Sequence, residues 1–405
     1  MKYLVVAAAL LSGCRGDHRR APREDAAIAV APSMVPALPR SPDSAQELRA
    51  LDLEIERARI ALPAGDPAPL ITGLARRAAI RGRLDDFTDV DQQSKAWAER
   101  APSEPAAWRS RIAVLIQLHR FAEARAALAS LVPLTRDRSE WESLAATLDE
   151  ASGQPERAVA YRERAATVEA SAVTITALAA NLADRGELTE AIALIPRAAA
   201  ALRDPSPVLV SWLLVQWGQL HTRNGAPAAA RELFAEAHAR MPGYVEASVQ
   251  LAHAIRATGG DPRAVATEAL ADGPHPELLA IAGTPDAAAA LWDRYTTAHR
   301  AAFADHAARF YLAGATASGA EPSGVGARVA KAIALATDNF ANRPTLDARA
   351  LLVEAQLAGT PSEACSLVDP LLASTRAHQF LAWRALTACG RTTDAARVAT
   401  TLGIR

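Results

Sequence analysis

A glycine, an alanine five residues on, a bulky residue four further and a small residue three beyond that recur in this order, about every 35 residues. One copy reads Gly225, Ala230, Phe234 and Ala237, closed by Pro242 and preceded by Trp217-Gly218. Another reads Gly186, Ala191, Ile195 and Ala198, preceded by Leu178-Ala179. A period of that length marks stacked helical hairpins. The first helix of each unit needs a small residue where its neighbour comes close. A glycine after it takes the left-handed conformation that ends the helix. The alanine of the second helix sits at the crossing, the bulky residue fills the groove, and a proline stops the helix from running into the next unit. A lone hairpin exposes an apolar face, so stability accrues roughly additively over neighbours.

This set of requirements resembles the tetratricopeptide repeat, and the likeness covers most of residues 67 to 403. Folding is expected to begin near Ser44, where Ser44 and Glu47 form a capping-box pattern ahead of Leu48, Leu51, Ile55, Ala58 and Leu62 at helical spacing. The first unit runs from Leu74-Ala75 through Gly82 to Phe87, Val90 and Trp97, with a long second helix. The second has Trp108, Leu115, Phe121 and Ala124, with His119 where glycine is expected; the third has Trp141, Gly153 and Ala158. The fourth and fifth are the copies quoted above, and a sixth has Leu251-Ala252, Gly259 and Ala264. The register then slips: Gly283, Ala288, Trp292 and Tyr295 keep half a motif behind a helix of only Pro276 to Ala282. An eighth unit shows Tyr311, Gly319 and Ala327 with extra residues from Glu321 to Gly326. A ninth has Leu351, Gly359, Ala364 and Leu371, and a tenth Trp383, Gly390 and Ala395. The resemblance implies an all-α fold, a right-handed superhelical α-solenoid of TPR-like hairpins. Residues 44–271 form its N-terminal stack and residues 272–405 a degenerate C-terminal one. The Asp272-Gly273-Pro274-His275-Pro276 stretch is either a bend or a boundary between them.

The first residues speak to location. Lys2 precedes a short apolar run over 3–11, of secretory length and far below the roughly 20 residues that span a bilayer. Leu11-Ser12-Gly13-Cys14 follows and resembles the bacterial lipobox; an ordinary signal peptide with a chance cysteine is the alternative. The resemblance implies cleavage after residue 13, lipidation of Cys14 and anchoring to the cell envelope by more than one acyl chain. Arg15 after the cysteine favours the outer membrane. Residues 14–43, with Pro22, Pro32, Pro36, Pro39 and Pro42, read as a semi-rigid spacer.

A net charge of −1 gives no basic field for nucleic acid. The sequence holds no HExxH, no Gly-x-Ser-x-Gly elbow and no phosphate loop, since Val325-Gly326 stands where Lys-Ser/Thr is required after Gly319 to Gly324; that stretch reads as an inter-helix turn. No cofactor or metal is implied. His299 and His306, seven apart and read as one helical face, are too far apart to share a metal without further ligands. Cys365 and Cys389 fall where consecutive antiparallel helices meet, and are either a disulfide or two buried thiols.

In the tetratricopeptide family the first helices line a groove that holds an extended partner. Carried onto this chain, the groove residues are Trp212, Gln216, Gln219 and Arg223 of the fifth unit and Gln250, His253 and Arg256 of the sixth. Their amide and guanidinium groups suit backbone groups or carboxylates; ordinary solvated helix positions are the plainer reading. The lysine and asparagine of chaperone-tail clamps are absent, with Val215 and Gln219, Thr176 and Ala180 at those places. The expected role is an envelope interaction scaffold for a protein or peptide. One alternative is an envelope enzyme or carbohydrate-handling protein using the irregular region 260–330, with Trp292, Tyr295, His299, Asp305 and His306. Another is a purely structural spacer whose groove is closed by its own superhelix or by a second copy. Deleting residues 1–14 is expected to leave folding intact and move the protein from the membrane pellet to the soluble fraction; unchanged fractionation rejects the anchor.

Overall fold

The computed structural model describes residues 38–39, 41–62, 65–136, 138–316 and 322–404. The lipobox, Cys14 and most of the spacer lie outside them. The chain divides into two compact units: the first takes residues 38–150 and 155–291 of those described, the second residues 151–154 and 292–404.

Helix α1 (Ser44–Ala61) opens the first unit. Hairpins follow: α2 (Ala68–Arg81) with α3 (Leu84–Arg100), α4 (Pro105–Gln117) with α5 (Phe121–Leu131), and α6 (Arg138–Ala151) with α7 (Pro155–Val168). Then come α8 (Ala172–Asp184) with α9 (Leu188–Ala200), α10 (Pro207–Arg223) with α11 (Pro227–Arg240), and α12 (Val245–Ala257) with α13 (Arg263–Ala269). The short α14 (Pro276–Ala282) pairs with α15 (Pro285–Ala298), whose last residues belong to the second unit. There α16 (Arg300–Thr316) pairs with α17 (Pro322–Asn342), and α18 (Leu346–Gly359) is followed by two fragments, α19 (Pro361–Ala364) and α20 (Asp369–Leu372). The last pair is α21 (Arg376–Ala388) with α22 (Thr392–Leu402). No strand occurs among the described residues. The protein is an all-α solenoid of helical hairpins. Within the first unit, first helices of successive hairpins lie side by side at α2 against α4, α8 against α10 and α10 against α12; within the second, α16 lies against α18 and α18 against α21.

Hairpin five shows why the repeat folds this way. Pro207 and Pro227 start its two helices, where a missing N–H costs nothing. Helix α10 ends in a six-to-one turn: the Ala226 amide donates to the His221 carbonyl at 2.9 Å, with Gly225 at φ 73°. The same bond closes α4, from the Arg120 amide to the Leu115 carbonyl at 2.8 Å. There His119 itself adopts φ 53°, so the residue standing in for glycine keeps the glycine geometry. At the crossing, Ala230 and Ala237 are fully buried and Phe234 is 1% exposed. A methyl placed on Gly218 would stand 2.8 Å from two carbons of the Phe234 ring.

The first unit curls on itself. Helix α1 packs on both α2 and α10, and α2 reaches α12. Arg83 donates to the Asp272 carbonyl at 2.6 Å, and a methyl on Gly82 would meet the His275 ring at 3.0 Å. Hairpin one therefore touches the chain between hairpins six and seven.

Several details differ from the sequence expectations. The cap of α1 is Asp43, whose carboxylate accepts from the Ala45 amide, so Ser44 is the first helical residue. The division into units falls at 291/292 rather than 271/272, because Leu278 and Ile281 of hairpin seven join one core with Val249, Ala252, Ala266 and Ala269. Gly324 and Gly326 lie inside α17, not in a turn. His299 falls in the break between α15 and α16, so it shares no helix with His306. The second helix of hairpin nine is fractured. The Cα atoms of Cys365 and Cys389 are 6.1 Å apart with their sulfurs at bonding distance, a separation a disulfide spans.

Gly218→Ala tests the close approach. Helix propensity favours alanine by about 1 kcal/mol, whereas overpacking a rigid buried ring costs about 1–3 kcal/mol. The expected result is a net loss of about 1 kcal/mol or more in urea unfolding; a stabilised variant contradicts the packing at Phe234.

Candidate protein-binding surface

The fifth and sixth first helices carry their polar side chains in one stripe at helical spacing, and the structure shows what these side chains touch. Arg223 reaches back to hairpin four, donating to Asp184 at 3.0 Å and to the Ala183 carbonyl at 2.7 Å. Gln219 donates forward to Glu246 at 3.1 Å, and Gln250 donates to the same carboxylate oxygen at 3.0 Å. His253 Nε2 lies 3.8 Å from Glu277 Oε2 on α14. Thus Arg223, Gln219, Gln250 and His253 form a polar ladder across hairpins four to seven. Arg256 is exposed on the same helix. Trp212 is different: it is 1% exposed, and with Val215 and Gln216 it belongs to the interior, so it offers no surface in this fold.

Helix α1 packs against α10 at its N-terminal end. Glu47 accepts a 2.8 Å hydrogen bond from the Ser206 hydroxyl, just before α10, and lies 3.5 Å from Arg76 of α2. A methyl on Gly243, between α11 and α12, would stand 2.8 Å from Leu48. Arg77 and Arg81 of α2 hold Asp52 of α1 at 3.0 and 3.4 Å. The N-terminal end of α10 is thus covered by a helix of its own chain. Burial raises the Glu47 carboxyl above its ordinary value, and the Ser206 hydroxyl and Arg76 only partly offset that. On α10, burial pushes the His221 imidazole down.

In the second unit, Trp292 and Tyr295 meet edge to face at 6.1 Å, and the His306 ring stacks on Trp292 at 6.0 Å. Asp305, 2% exposed, is held by Arg343 at 3.1 Å. The aromatic and acidic residues expected of a site in 260–330 are brought together here as interior packing, with His299 set apart in the interhelical break. Sequence reasoning missed a partly exposed group beside them. Asp293 Oδ1 accepts from the Tyr311 hydroxyl at 2.7 Å and from Lys331 at 2.5 Å, and the Lys331 ammonium sits 4.4 Å over the Tyr311 ring. Burial works to raise the Asp293 carboxyl, but the Lys331 and Tyr311 hydrogen bonds hold it below the ordinary aspartate value. Its members come from three helices at unremarkable spacings, so no local pattern announces it. Among the described residues no group of three or more His, Cys, Asp or Glu side chains is placed to hold a metal. No described helix is long and apolar enough to cross a membrane.

No family model matches the chain. No curated protein matches it in sequence. Among solved structures, a chain of the APC/C hetero-tetramer Cut9-Hcn1 is similar with a TM-score of 0.44 and 15% identity, over 78% of this chain and 60% of that one. A chain of the Naa15/Naa10 complex bound to HypK-THB is similar with a TM-score of 0.29 and 13% identity, over 89% of this chain and 63% of that one. The chain thus spans under two thirds of either.

Glu47 gives a pH test of the helix seated on α10. The native state holds the Glu47 proton more tightly than the unfolded chain does. Stability from this group is therefore fully present below the ordinary glutamate value of 4.5 and is lost as pH rises through the raised value. Glu47→Gln removes that loss, so the variant is expected to gain on wild type in urea midpoint as pH rises. A constant difference across the range contradicts the buried carboxyl.

Proposed function

We propose that this protein is a lipid-anchored component of the bacterial envelope, most consistent with the outer membrane, that works as a protein–protein interaction scaffold. The observation that carries the reading is the order of parts: a short apolar leader ending in Leu11-Ser12-Gly13-Cys14, a proline-rich spacer, and then a run of helical hairpins. The lipid would hold the stack at a membrane. Proline spacing would keep it clear of the headgroups, at about 3.1 Å per residue in an extended polyproline conformation. A protein or peptide partner in the envelope would then meet a surface far larger than one hairpin. No cofactor enters this reading.

One observation favours a second reading, a structural spacer. Helix α1 packs against the N-terminal end of α10, and the Gln219–Glu246–Gln250 ladder ties hairpin five to hairpin six. A partner of the first unit would therefore use the ladder's exposed rim at Arg256 or the outer helix layer.

Capture of the full-length protein from solubilised envelopes of its own host separates the two. A scaffold is expected to recover one stoichiometric partner, reduced tenfold or more by Arg256→Glu if the rim is used. Recovery of the protein alone, or with a second copy of itself, supports the spacer instead.

A further inference from the structure

The second helix of hairpin nine is not a helix in the ordinary sense. It consists of the four residues of α19, a 3-10 turn over Cys365–Leu367, and the four residues of α20. The corresponding element of the preceding hairpin, α17, is 21 residues long, and that of the last, α22, is 11. A fragment of one turn makes too few internal hydrogen bonds to repay its own nucleation. Pro361 and Pro370 each remove a further donor. Neither fragment has a side-chain cap. What the segment fully buries is Ala364, Val368 and Leu371, packed with Val353, Ala382, Ala385 and Leu386, while Leu367 and Leu372 are only partly buried against the same core. These side chains stand against the conformational entropy of ordering the whole 361–372 stretch.

Hydrogen bonds from Gln356 to Glu363, from Gln379 to the Leu372 carbonyl and from Arg391 to Asp369 also reach this segment, and one covalent tie joins them. Cys365 sits where α19 gives way to the 3-10 turn, and Cys389 caps the end of α21. With their Cα atoms 6.1 Å apart and a sequence separation of 24, a bond between their sulfurs encloses α20 and α21 in one covalent loop. Both residues are half-buried, so the pair is within reach of a small thiol or a dithiol protein.

We propose that the order of the C-terminal hairpins is conditional on this bond: with Cys365 and Cys389 joined, the fractured segment and α21 hold the stack, and with both reduced they open locally while the first unit stays folded. Forming the bond takes two electrons and two protons from the two thiols. An oxidant that itself carries a disulfide receives them and leaves as a dithiol, through a mixed disulfide with one of the two cysteines. The end of the solenoid would then be completed only in an oxidising compartment and remain open where thiols are kept reduced. This device does not depend on lipidation of Cys14. Its failure and failure of the anchor are told apart because one is read in backbone exchange and the other in fractionation.

The test is amide hydrogen exchange on the full chain, as purified under oxidising conditions and after reduction with a phosphine. Loss of a bond closing a loop of this size is expected to speed exchange of peptides within 361–402 on the order of a hundredfold. Peptides within 44–291 should keep their rates. The double variant Cys365→Ala, Cys389→Ala, left untreated, should reproduce the reduced pattern, which separates loss of the bond from any side effect of the reductant. Equal exchange in both states overturns the proposal, as does a change spread evenly over the chain. So does alkylation of both thiols in the oxidised, denatured protein.

Discussion

The turn that ends each first helix is the constraint on which the solenoid depends. An amide five residues along bonds back to a carbonyl while the residue just before that amide adopts positive φ, as at Gly225 and again at His119. That turn fixes how the second helix leaves the first, and so decides which residues meet at the crossing. Only after it is set can Phe234 lie against Gly218 without clash. Only then do first helices within a unit lie side by side. The His119 case shows how strong the demand is. A residue with a side chain accepts the cost of the left-handed region, of order 1 kcal/mol, because the surrounding hairpin leaves no other path.

The polar ladder is the next level of the same design. Asp184, Arg223, Gln219, Glu246, Gln250, His253 and Glu277 come from four successive hairpins and meet because the layer brings equivalent helix faces together. Individually such contacts are modest, about 0.5–1.5 kcal/mol each when hydrogen-bonded and shielded. Their effect lies in geometry: each link sets the rotation of one hairpin against the next, and the accumulated rotation brings hairpin one round to Asp272.

The hairpins were readable in the sequence because their signals are local. Gly82, Gly186, Gly225, Gly259, Gly283 and Gly390 each take positive φ, and the short helix before Gly283 spans Pro276–Ala282. Where the sequence misled, the decisive interaction was not local. Gly324 and Gly326 look like turn residues, yet α17 runs through them, since packing of α17 against α16 and α18 outweighs about 1 kcal/mol of helix propensity per glycine. The helical spacing of Trp212, Gln216, Gln219 and Arg223 was legible, but the burial of Trp212 and Gln216 in the interior was not. Nor was the seating of α1 against α10, because it follows from the summed rotation of five hairpins and no single hairpin carries it.

Near the first of the described residues, Arg240 of α11 donates to the Pro39 carbonyl at 2.7 Å. A few residues later Glu47 and Leu48 engage Ser206 and the neighbourhood of Gly243. A pull on the chain upstream of residue 38 is therefore not delivered to the first hairpin alone. It is shared at once with hairpin five, so the two bear load side by side instead of one after the other. Peeling α1 away means sliding it along α10 and α2 together, a shear geometry in which contacts break as a group. A solenoid loaded from a free end would unzip hairpin by hairpin; this one takes tension at a clasp.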